Sequence, residues 1–227
     1  ILFFIGRFIY YYQLSKQAIL LEKQLAVQYE RQRISAEMHD DIGAGLSGIR
    51  LMTEMAKMKS KDDETGSEIE KIYNSVGDIS SKMKEVIWSL NTENDSLGNL
   101  LSYLQKQARQ MMENYPGSFT ITIPEQIPDI KIGGETRRHI YLTVKEALHN
   151  IIKHSGADKI NLVIACAGKL IIKVSDNGKG MNTGDSSNSG NGLKNMRNRM
   201  EQIGGNFSVE NNQGLTLIFE IPLKPAL

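Results

Sequence analysis

The cleanest periodic pattern in this chain is a run of apolar residues whose spacing alternates between three and four positions. The run comprises Ile69, Ile72, Val76, Ile79, Met83, Val86 and Leu90. Such spacing puts every member on one narrow stripe of an α-helix, as in the seam of a coiled coil. Upstream, Gln13 to about Lys59 contains no proline and is rich in helix formers. This predicts a long helix with its own apolar stripe.

The segment from Lys59 to Gly66 is charged and turn-like, so the two predicted helices form an antiparallel hairpin. In such a hairpin one partner helix hardly covers either stripe, whereas a homodimeric four-helix bundle buries both. We therefore expect residues 13–94 to form a homodimer through these helices. An intramolecular coiled coil is the alternative.

The pattern changes after Asp95, where helix and strand signals alternate. Ser96 is suited to cap the first of the helices, and turn residues separate the later elements. The predicted helices span about 96–114, 135–154 and 193–203, and the predicted strands span about 119–123, 159–167, 169–175, 207–210 and 215–221. Residues 95–227 should thus form an α+β sandwich with helices on one face of a mixed sheet.

The first twelve residues are apolar and aromatic, with Arg7 as their single charge. They are too few to span a bilayer, which takes roughly 20 apolar residues. We interpret residues 1–12 as the cytoplasmic end of a transmembrane helix whose first part lies outside this chain, with tyrosines at the membrane interface. This predicts attachment to the inner (cytoplasmic) membrane. The amphipathic start of a coiled coil is the alternative.

A turn with two glycines, Asp176-Asn177-Gly178-Lys179-Gly180, follows the predicted strand 169–175. Glycine lets a ligand come close to the backbone, and the Asp176 carboxylate is able to accept a hydrogen bond from an adenine amino group. Many turns at strand ends look like this, so the motif alone is equally well explained as a structural turn.

Polar side chains share one face of the predicted helix 135–154. Glu146 and Asn150 are four residues apart and lie on the same side, and Lys153 and His154 follow one turn later. Oxygen ligands beside a cation suit a divalent metal ion and phosphates. A solvated helix face is the alternative explanation.

A third block, Gly190-Asn191-Gly192-Leu193, opens the last predicted helix after a polar loop. Glycines before a helix N-terminus make a cradle for phosphate, although a lone Gly-x-Gly is a weak signal. The order and spacing of all three blocks together indicate a nucleotide site.

These blocks resemble those of the GHKL ATPase superfamily, which includes histidine kinases, gyrase-type ATPases, Hsp90 and mismatch-repair ATPases. Glu146 to Asn150 is similar to its N box, Asp176 to Gly180 to its first glycine box, and Gly190 to Gly192 to its second. The resemblance implies the GHKL (Bergerat) fold, ATP as the nucleotide, and a lid formed by the loop between the glycine boxes.

The same resemblance implies roles for individual residues. Asn150 would hold Mg²⁺, Asp176 would read adenine, and Lys153 would contact a phosphate. Glu146 would belong to the catalytic set, and Thr216 would place a hydroxyl near adenine. The remaining cofactor-binding positions are Gly178, Gly180, Gly190, Gly192 and Leu193.

Residues 31–43 resemble the phosphoacceptor helix of the HisKA_3 class of histidine kinases, in which an acid directly follows the histidine. The resemblance makes His39 the phosphoacceptor and Asp40 the carboxylate that orients its ring, with Glu37 or Asp41 as the other candidates. A neutral imidazole nitrogen is a competent nucleophile near pH 7.

The neighbours of His39 refine this hypothesis. Met38 belongs to the apolar stripe, so His39 should point about 100° away from it on the helix, toward the flank of the bundle. Many members of the class carry glutamine five residues after the histidine, in a pattern linked to dephosphorylation of the partner. This chain has Ala44 there, which predicts weak phosphatase activity and leaves kinase chemistry unaffected.

Together these features predict the cytoplasmic core of a membrane sensor histidine kinase. It would use Mg-ATP to phosphorylate His39 and pass the group to an aspartate of a response regulator receiver domain, in this class usually one with a LuxR-type helix-turn-helix. The predicted domains are residues 1–12 (end of a transmembrane helix), 13–94 (signalling helix and dimerisation/phosphoacceptor hairpin) and 95–227 (GHKL ATP-binding domain).

A net charge of +1 gives no indication of direct nucleic-acid binding. Two other functions remain open on the sequence. A GHKL ATPase or serine kinase leaves the acidic flank of His39 unexplained. A non-enzymatic dimeric scaffold leaves the intact nucleotide blocks unexplained.

Overall fold

The computed structural model of the chain describes residues 2–59, 63–181, 191–211 and 213–223. The chain divides into two compact units, residues 1–92 and residues 93–227. The first is helical and the second combines helices with a sheet.

The helical unit consists of three long helices. They are α1 (Leu2–Glu37), α2 (Gly43–Lys59) and α3 (Asp63–Leu90), with a π-helical turn (Met38–Ile42) between α1 and α2. Helix α1 is continuous through residues 12 and 13. The charged segment expected as a turn is partly helical, because α3 already begins at Asp63. Among the residues described here, no helix is both long enough and apolar enough to cross a membrane.

Side chains of α1 bond to the last turns of α3. Arg31 Nη2 donates to the Ser89 carbonyl oxygen at 3.1 Å, and Ser35 Oγ donates to the Ile87 carbonyl oxygen at 3.4 Å. Carbonyls in the last turn of a helix lack partners within the helix. These two bonds therefore fasten the end of α1 to the end of α3.

The π turn at Met38–Ile42 replaces the regular α-helical spacing expected around His39. Its cause lies in the apolar spacing. Met38 and Leu46 are both half-buried, yet they are eight residues apart, whereas two α-helical turns take about seven. A π turn accommodates one extra residue per turn, so both side chains reach the same side of the helix.

The second unit contains one five-stranded sheet in the order β1-β2-β3-β5-β4. Strand β1 runs parallel to β2, and the other neighbouring pairs are antiparallel. The strands are β1 (Ser118–Thr122), β2 (Lys159–Cys166), β3 (Lys169–Asp176), β4 (Asn206–Asn211) and β5 (Leu215–Pro222). Alternate residues of β2 and β3 are buried, which marks the face that the helices cover.

Three helices pack on that face. They are α4 (Leu97–Met112), α5 (Gly134–Asn150), which continues into a π-helical turn (Ile151–Ser155), and α6 (Asn191–Gln202). Ser96 caps α4 as expected, since its Oγ accepts from the Asn99 backbone N at 3.1 Å. The core between helices and sheet is fully enclosed at Leu100, Leu104, Ile140, Leu148, Leu162, Leu170, Ile172 and Met196. The expected α+β sandwich with a mixed sheet is confirmed.

Candidate functional site

Asp176 ends β3 and is buried, with 8% of its surface exposed. Its Oδ1 accepts from the Gly178 backbone N at 2.8 Å. No hydrogen bond to its Oδ2 is formed by the residues the structure describes. One carboxylate oxygen therefore holds the turn, and the second remains as an acceptor in a buried position.

The two glycines of this turn are required by close neighbours. A Cβ at Gly178 would collide with the Ser155 carbonyl oxygen, and a Cβ at Gly180 would collide with Asn211 Oδ1. Gly180 also has φ of 67°, a conformation that favours glycine. The loop is thus pressed between the π turn after α5 and the end of β4.

Two asparagines hold the loop in place, and sequence reasoning missed both roles. Asn177 bonds to the start of β2. Asn211 Nδ2 donates to the Met181 carbonyl oxygen at 2.7 Å, and its Oδ1 accepts from the Met181 backbone N at 3.2 Å. No sequence signal pointed to Asn211, because it lies in a hairpin segment that reads only as a turn.

Helix α5 and the start of α6 meet at the predicted metal and phosphate face. Glu146 and Asn150 are half-buried on α5. A Cβ placed on Gly192 would lie 2.6 Å from Glu146 Oε1 and 3.2 Å from Asn150 Nδ2. The structure therefore brings the first and third blocks into contact, and only glycine at position 192 allows so close an approach.

The other predicted positions are placed less tightly. Lys153 is exposed on the π turn after α5, and Leu193 is half-buried in the first turn of α6. Thr216 on β5 is half-buried and pairs with Ser175, the residue before Asp176. Gly190 lies outside the described residues, as does most of the predicted lid.

The described residues contain no cluster of three or more histidine, cysteine, aspartate or glutamate side chains that would hold a metal ion. Glu146 and Asn150 offer two oxygen donors on one helix face. A magnesium ion here would need further ligands from a bound phosphate and from water, which is how this ion is usually held.

His39 lies in the π turn with 75% of its side chain exposed. Its Nδ1 is 3.2 Å from Asp40 Oδ1. Neighbouring side chains usually diverge on a helix, but here they meet. When Nδ1 donates to the carboxylate, Nε2 keeps its lone pair and faces outward as a nucleophile.

Glu37, another candidate for orienting the ring, bonds to an arginine instead. Glu37 Oε1 accepts from Arg33 Nη1 at 2.5 Å, and Arg33 also bonds to Glu30. The hydrogen bond from Arg33 to Glu30 lowers the pKa of the Glu30 carboxyl. Of the candidates Asp40, Glu37 and Asp41, the contact with the imidazole is made by Asp40.

Known proteins match both units of this chain. Residues 30–96 match the HisKA_3 family of histidine kinases, and residues 135–225 match the HATPase_c family of histidine kinase-, DNA gyrase B- and HSP90-like ATPases. The order of the two matches along the chain is the order of the phosphoacceptor and nucleotide motifs.

Two curated relatives are sensor kinases. Sensor histidine kinase LiaS of Bacillus subtilis is 28% identical over 210 residues, which cover 89% of this chain and 57% of the relative. Sensor protein VraS of Staphylococcus aureus is 24% identical over 184 residues, covering 81% of this chain and 52% of VraS. The chain thus spans about half the length of these relatives.

A solved structure has the same fold. The histidine kinase domain of the blue-light activated histidine kinase from Erythrobacter litoralis EL346 superposes with a TM-score of 0.53 at 18% identity, covering 79% of this chain and 94% of that one. With a HisKA_3 segment followed by a GHKL-type ATPase unit, the chain belongs to the sensor histidine kinases.

Proposed function

We propose that this chain is the catalytic core of a sensor histidine kinase that autophosphorylates on His39 and passes the phosphoryl group to an aspartate of a response regulator. The observation that carries the proposal is that the two units supply the two halves of a phosphoryl transfer, an acceptor and a nucleotide site. One unit presents an exposed imidazole bonded to a carboxylate, and the other holds a buried carboxylate beside a polar glycine-lined face.

The nucleotide unit has the side-chain chemistry for Mg-ATP. Glycine at position 192 lets the start of α6 lie directly against Glu146 and Asn150, so the backbone N–H groups of that helix end are close to the proposed metal- and phosphate-binding side chains. The buried Asp176 keeps an acceptor oxygen for an amino group. Bound Mg-ATP would supply the phosphoryl group.

Each residue then has a distinct task. Asp176 accepts from the adenine amino group, and Thr216 offers a hydroxyl close to it on the neighbouring strand. Asn150 would hold Mg²⁺ through its side-chain oxygen, and Lys153 would contact phosphate. Glu146 orders the polar face next to Asn150.

Leu193 and the glycines shape the pocket. Leu193 sits in the first turn of α6, where backbone N–H groups face an anion. Gly178, Gly180 and Gly192 let the segments around the site pack closely against one another, and Gly190 is assigned to the same cofactor-binding set from the family resemblance. Positioning and electrostatic stabilisation supply most of the catalysis in phosphoryl transfer.

His39 acts as the nucleophile. Asp40 accepts a hydrogen bond from Nδ1–H, which keeps the proton on Nδ1 and the lone pair on Nε2. Nε2 attacks the γ-phosphorus while the bond to the bridging oxygen of ADP breaks. The Asp40 carboxylate balances the positive charge that develops on the ring, and the phosphoryl group later passes from Nε2 to the receiver aspartate.

The proposed partners follow the predicted domains. Residues 13–94 form a homodimer that presents His39 to the response regulator, and residues 95–227 bind ATP. Residues 1–12 continue a membrane helix, which would place the core at the cytoplasmic side of the inner membrane. A regulator with a LuxR-type helix-turn-helix is the proposed recipient.

The test is incorporation of ³²P from labelled ATP into the whole chain and into His39→Gln. The wild type should take up label that is lost in acid and kept in alkali, as expected for phosphohistidine, and His39→Gln should take up none while binding ATP normally. Acid-stable label on the protein would indicate a serine kinase. Hydrolysis of ATP with no label on the protein would indicate a simple ATPase. Either result would refute the proposed function.

Replacing the two neighbouring acids separates their roles. Asp40→Asn should slow phosphorylation, because an amide balances no positive charge on the ring. Asp41→Asn is the matched control on the next residue and should leave the rate nearly unchanged. Equal rates for both variants would contradict the role of Asp40.

A further inference from the structure

The Asn177 side chain makes three hydrogen bonds to two residues at the start of β2. Its Oδ1 accepts from the backbone N of Asp158 at 3.1 Å and from that of Lys159 at 2.9 Å. Its Nδ2 donates to Asp158 Oδ1 at 2.5 Å. These bonds use both acceptor sites of the amide oxygen and one of the two N–H groups of the amide nitrogen, so the side chain is anchored to protein.

Backbone bonds reinforce the same attachment. Asn177 N donates to the Lys159 carbonyl oxygen at 3.2 Å, and Lys179 N donates to the Ser155 carbonyl oxygen at 3.1 Å. Ser155 is the last residue of the π turn that continues α5. The loop next to Asp176 is therefore tied to the chain that runs directly on from Glu146 and Asn150.

The directions of these side-chain hydrogen bonds restrict which residue types fit at position 177. Position 177 must accept from two backbone N–H groups and donate to a carboxylate. Asparagine meets both needs at this length, whereas aspartate would set two carboxylates against each other. Like charges in contact are unfavourable, so exchanging the residues at 177 and 158 is the change that restores complementary polarity.

We propose that Asn177 and Asp158 form a positioning pair that fixes the base-reading carboxylate relative to the metal- and phosphate-binding helix, and thereby sets nucleotide affinity and the preference for adenine. The inference rests on the proposed function and deepens it. Neither side chain touches the nucleotide. Losing the pair should shift the Asp176 loop and weaken base recognition, while the acceptor His39 keeps its chemistry.

The experiment measures binding of AMP-PNP and GMP-PNP to the whole chain by calorimetry, with the KM for ATP and kcat of autophosphorylation measured alongside. Asn177→Asp should weaken AMP-PNP binding about ten-fold and reduce its advantage over GMP-PNP, since it loses a hydrogen bond and gains repulsion. KM should rise by a similar factor, and kcat should change by less than about two-fold. The exchange variant Asn177→Asp/Asp158→Asn should recover affinity and selectivity.

Asn206→Asp serves as the control, because it adds the same charge at an exposed strand end. It should bind like the wild type. Melting temperatures show whether each variant is folded. If Asn177→Asp does not fold, the exchange variant decides the question. An exchange variant that binds with the selectivity of the wild type supports the positioning pair. A folded exchange variant that binds weakly and without selectivity overturns it.

Two failures are distinguishable. If the wild type binds AMP-PNP selectively and folded Asn177→Asp binds equally well, the positioning pair is wrong and the proposed function stands. If the wild type binds neither nucleotide, the proposed function is wrong and the inference falls with it.

Discussion

The two units differ in how they bury apolar side chains. In residues 93–227, Leu100, Leu101 and Leu170 have essentially no exposed surface. In the helical unit, the apolar side chains buried within the described residues are Val76 and Met83, at 7% and 8% exposure. The nucleotide unit has a complete core of its own, whereas the helical unit leaves part of its apolar stripe exposed.

The apolar repeat of α3 shows what this difference means. Val76 and Met83 are seven residues apart and face into the hairpin. Ile72 and Ile79 are also seven apart, yet they are 50% and 52% exposed. The heptad position of Val76 and Met83 is thus buried within a single chain, whereas the position of Ile72 and Ile79 is left exposed. This exposed row is the surface that the proposed homodimer would cover.

The largest expected effect lies in the nucleotide unit. Asn150→Ala should reduce Mg-dependent autophosphorylation at least about 100-fold, because it removes the side-chain oxygen proposed to hold the metal and positioning provides most of this catalysis. Phosphorylation of His39 is measured with labelled ATP at several magnesium concentrations. Asn198→Ala, an exposed change on α6, should behave like the wild type. Wild-type turnover in Asn150→Ala would contradict the nucleotide site.

A charge in the exposed row should separate the proposed dimer. Ile79→Glu would bury a carboxylate at the contact between copies, which is costly without a partner, while leaving the hairpin contacts of Val76 and Met83 intact. Light scattering on a chain starting at residue 13 should show a dimer for the wild type and a monomer for the variant. Lys82→Glu, an exposed change three residues away, should remain dimeric. A monomeric wild type would refute the assembly.

A core truncation tests whether the second unit is self-sufficient. Leu101→Ala should lower the free energy of unfolding of residues 93–227 by about 2–5 kcal/mol, since it opens a cavity in a fully enclosed core. Chemical denaturation provides the measurement. Val163→Ala, at a site that is 37% exposed, should cost less than half as much. Similar losses for both would mean that this unit lacks the tight core described above.

The smallest expected effect concerns dephosphorylation. In-line attack of water on a phosphorylated aspartate needs a group that orients the water, which an amide does and the methyl of Ala44 does not. Ala44→Gln should therefore accelerate decay of the phosphorylated regulator a few-fold in the presence of ADP. Ser47→Gln, one turn further along, is the matched control. Rapid decay with the unaltered chain would show that another residue orients the water.

Much of the second unit was predictable because its signals are local. Ser96 caps α4, the glycine turn after β3 and the hairpins of the sheet lie within a residue or two of their predicted bounds, and Glu146 and Asn150 share a face by helical spacing alone. The π turn around His39 was not predictable from helix propensity. It depends on which side of the helix packs against α3, and that is a long-range contact.

The amino-acid sequence by itself determined the order of helices and strands, the a/d stripe of α3 and the residue types needed for a nucleotide and a phosphoacceptor. Only the tertiary structure decided which acid meets His39, and that Gly192 lies directly against Glu146 and Asn150. It also decided that Asn177 and Asn211 hold the glycine loop. Spacing along the chain places side chains on faces of one element. Contacts between elements far apart in sequence depend on how those faces pack, and one chain's local pattern does not contain that information.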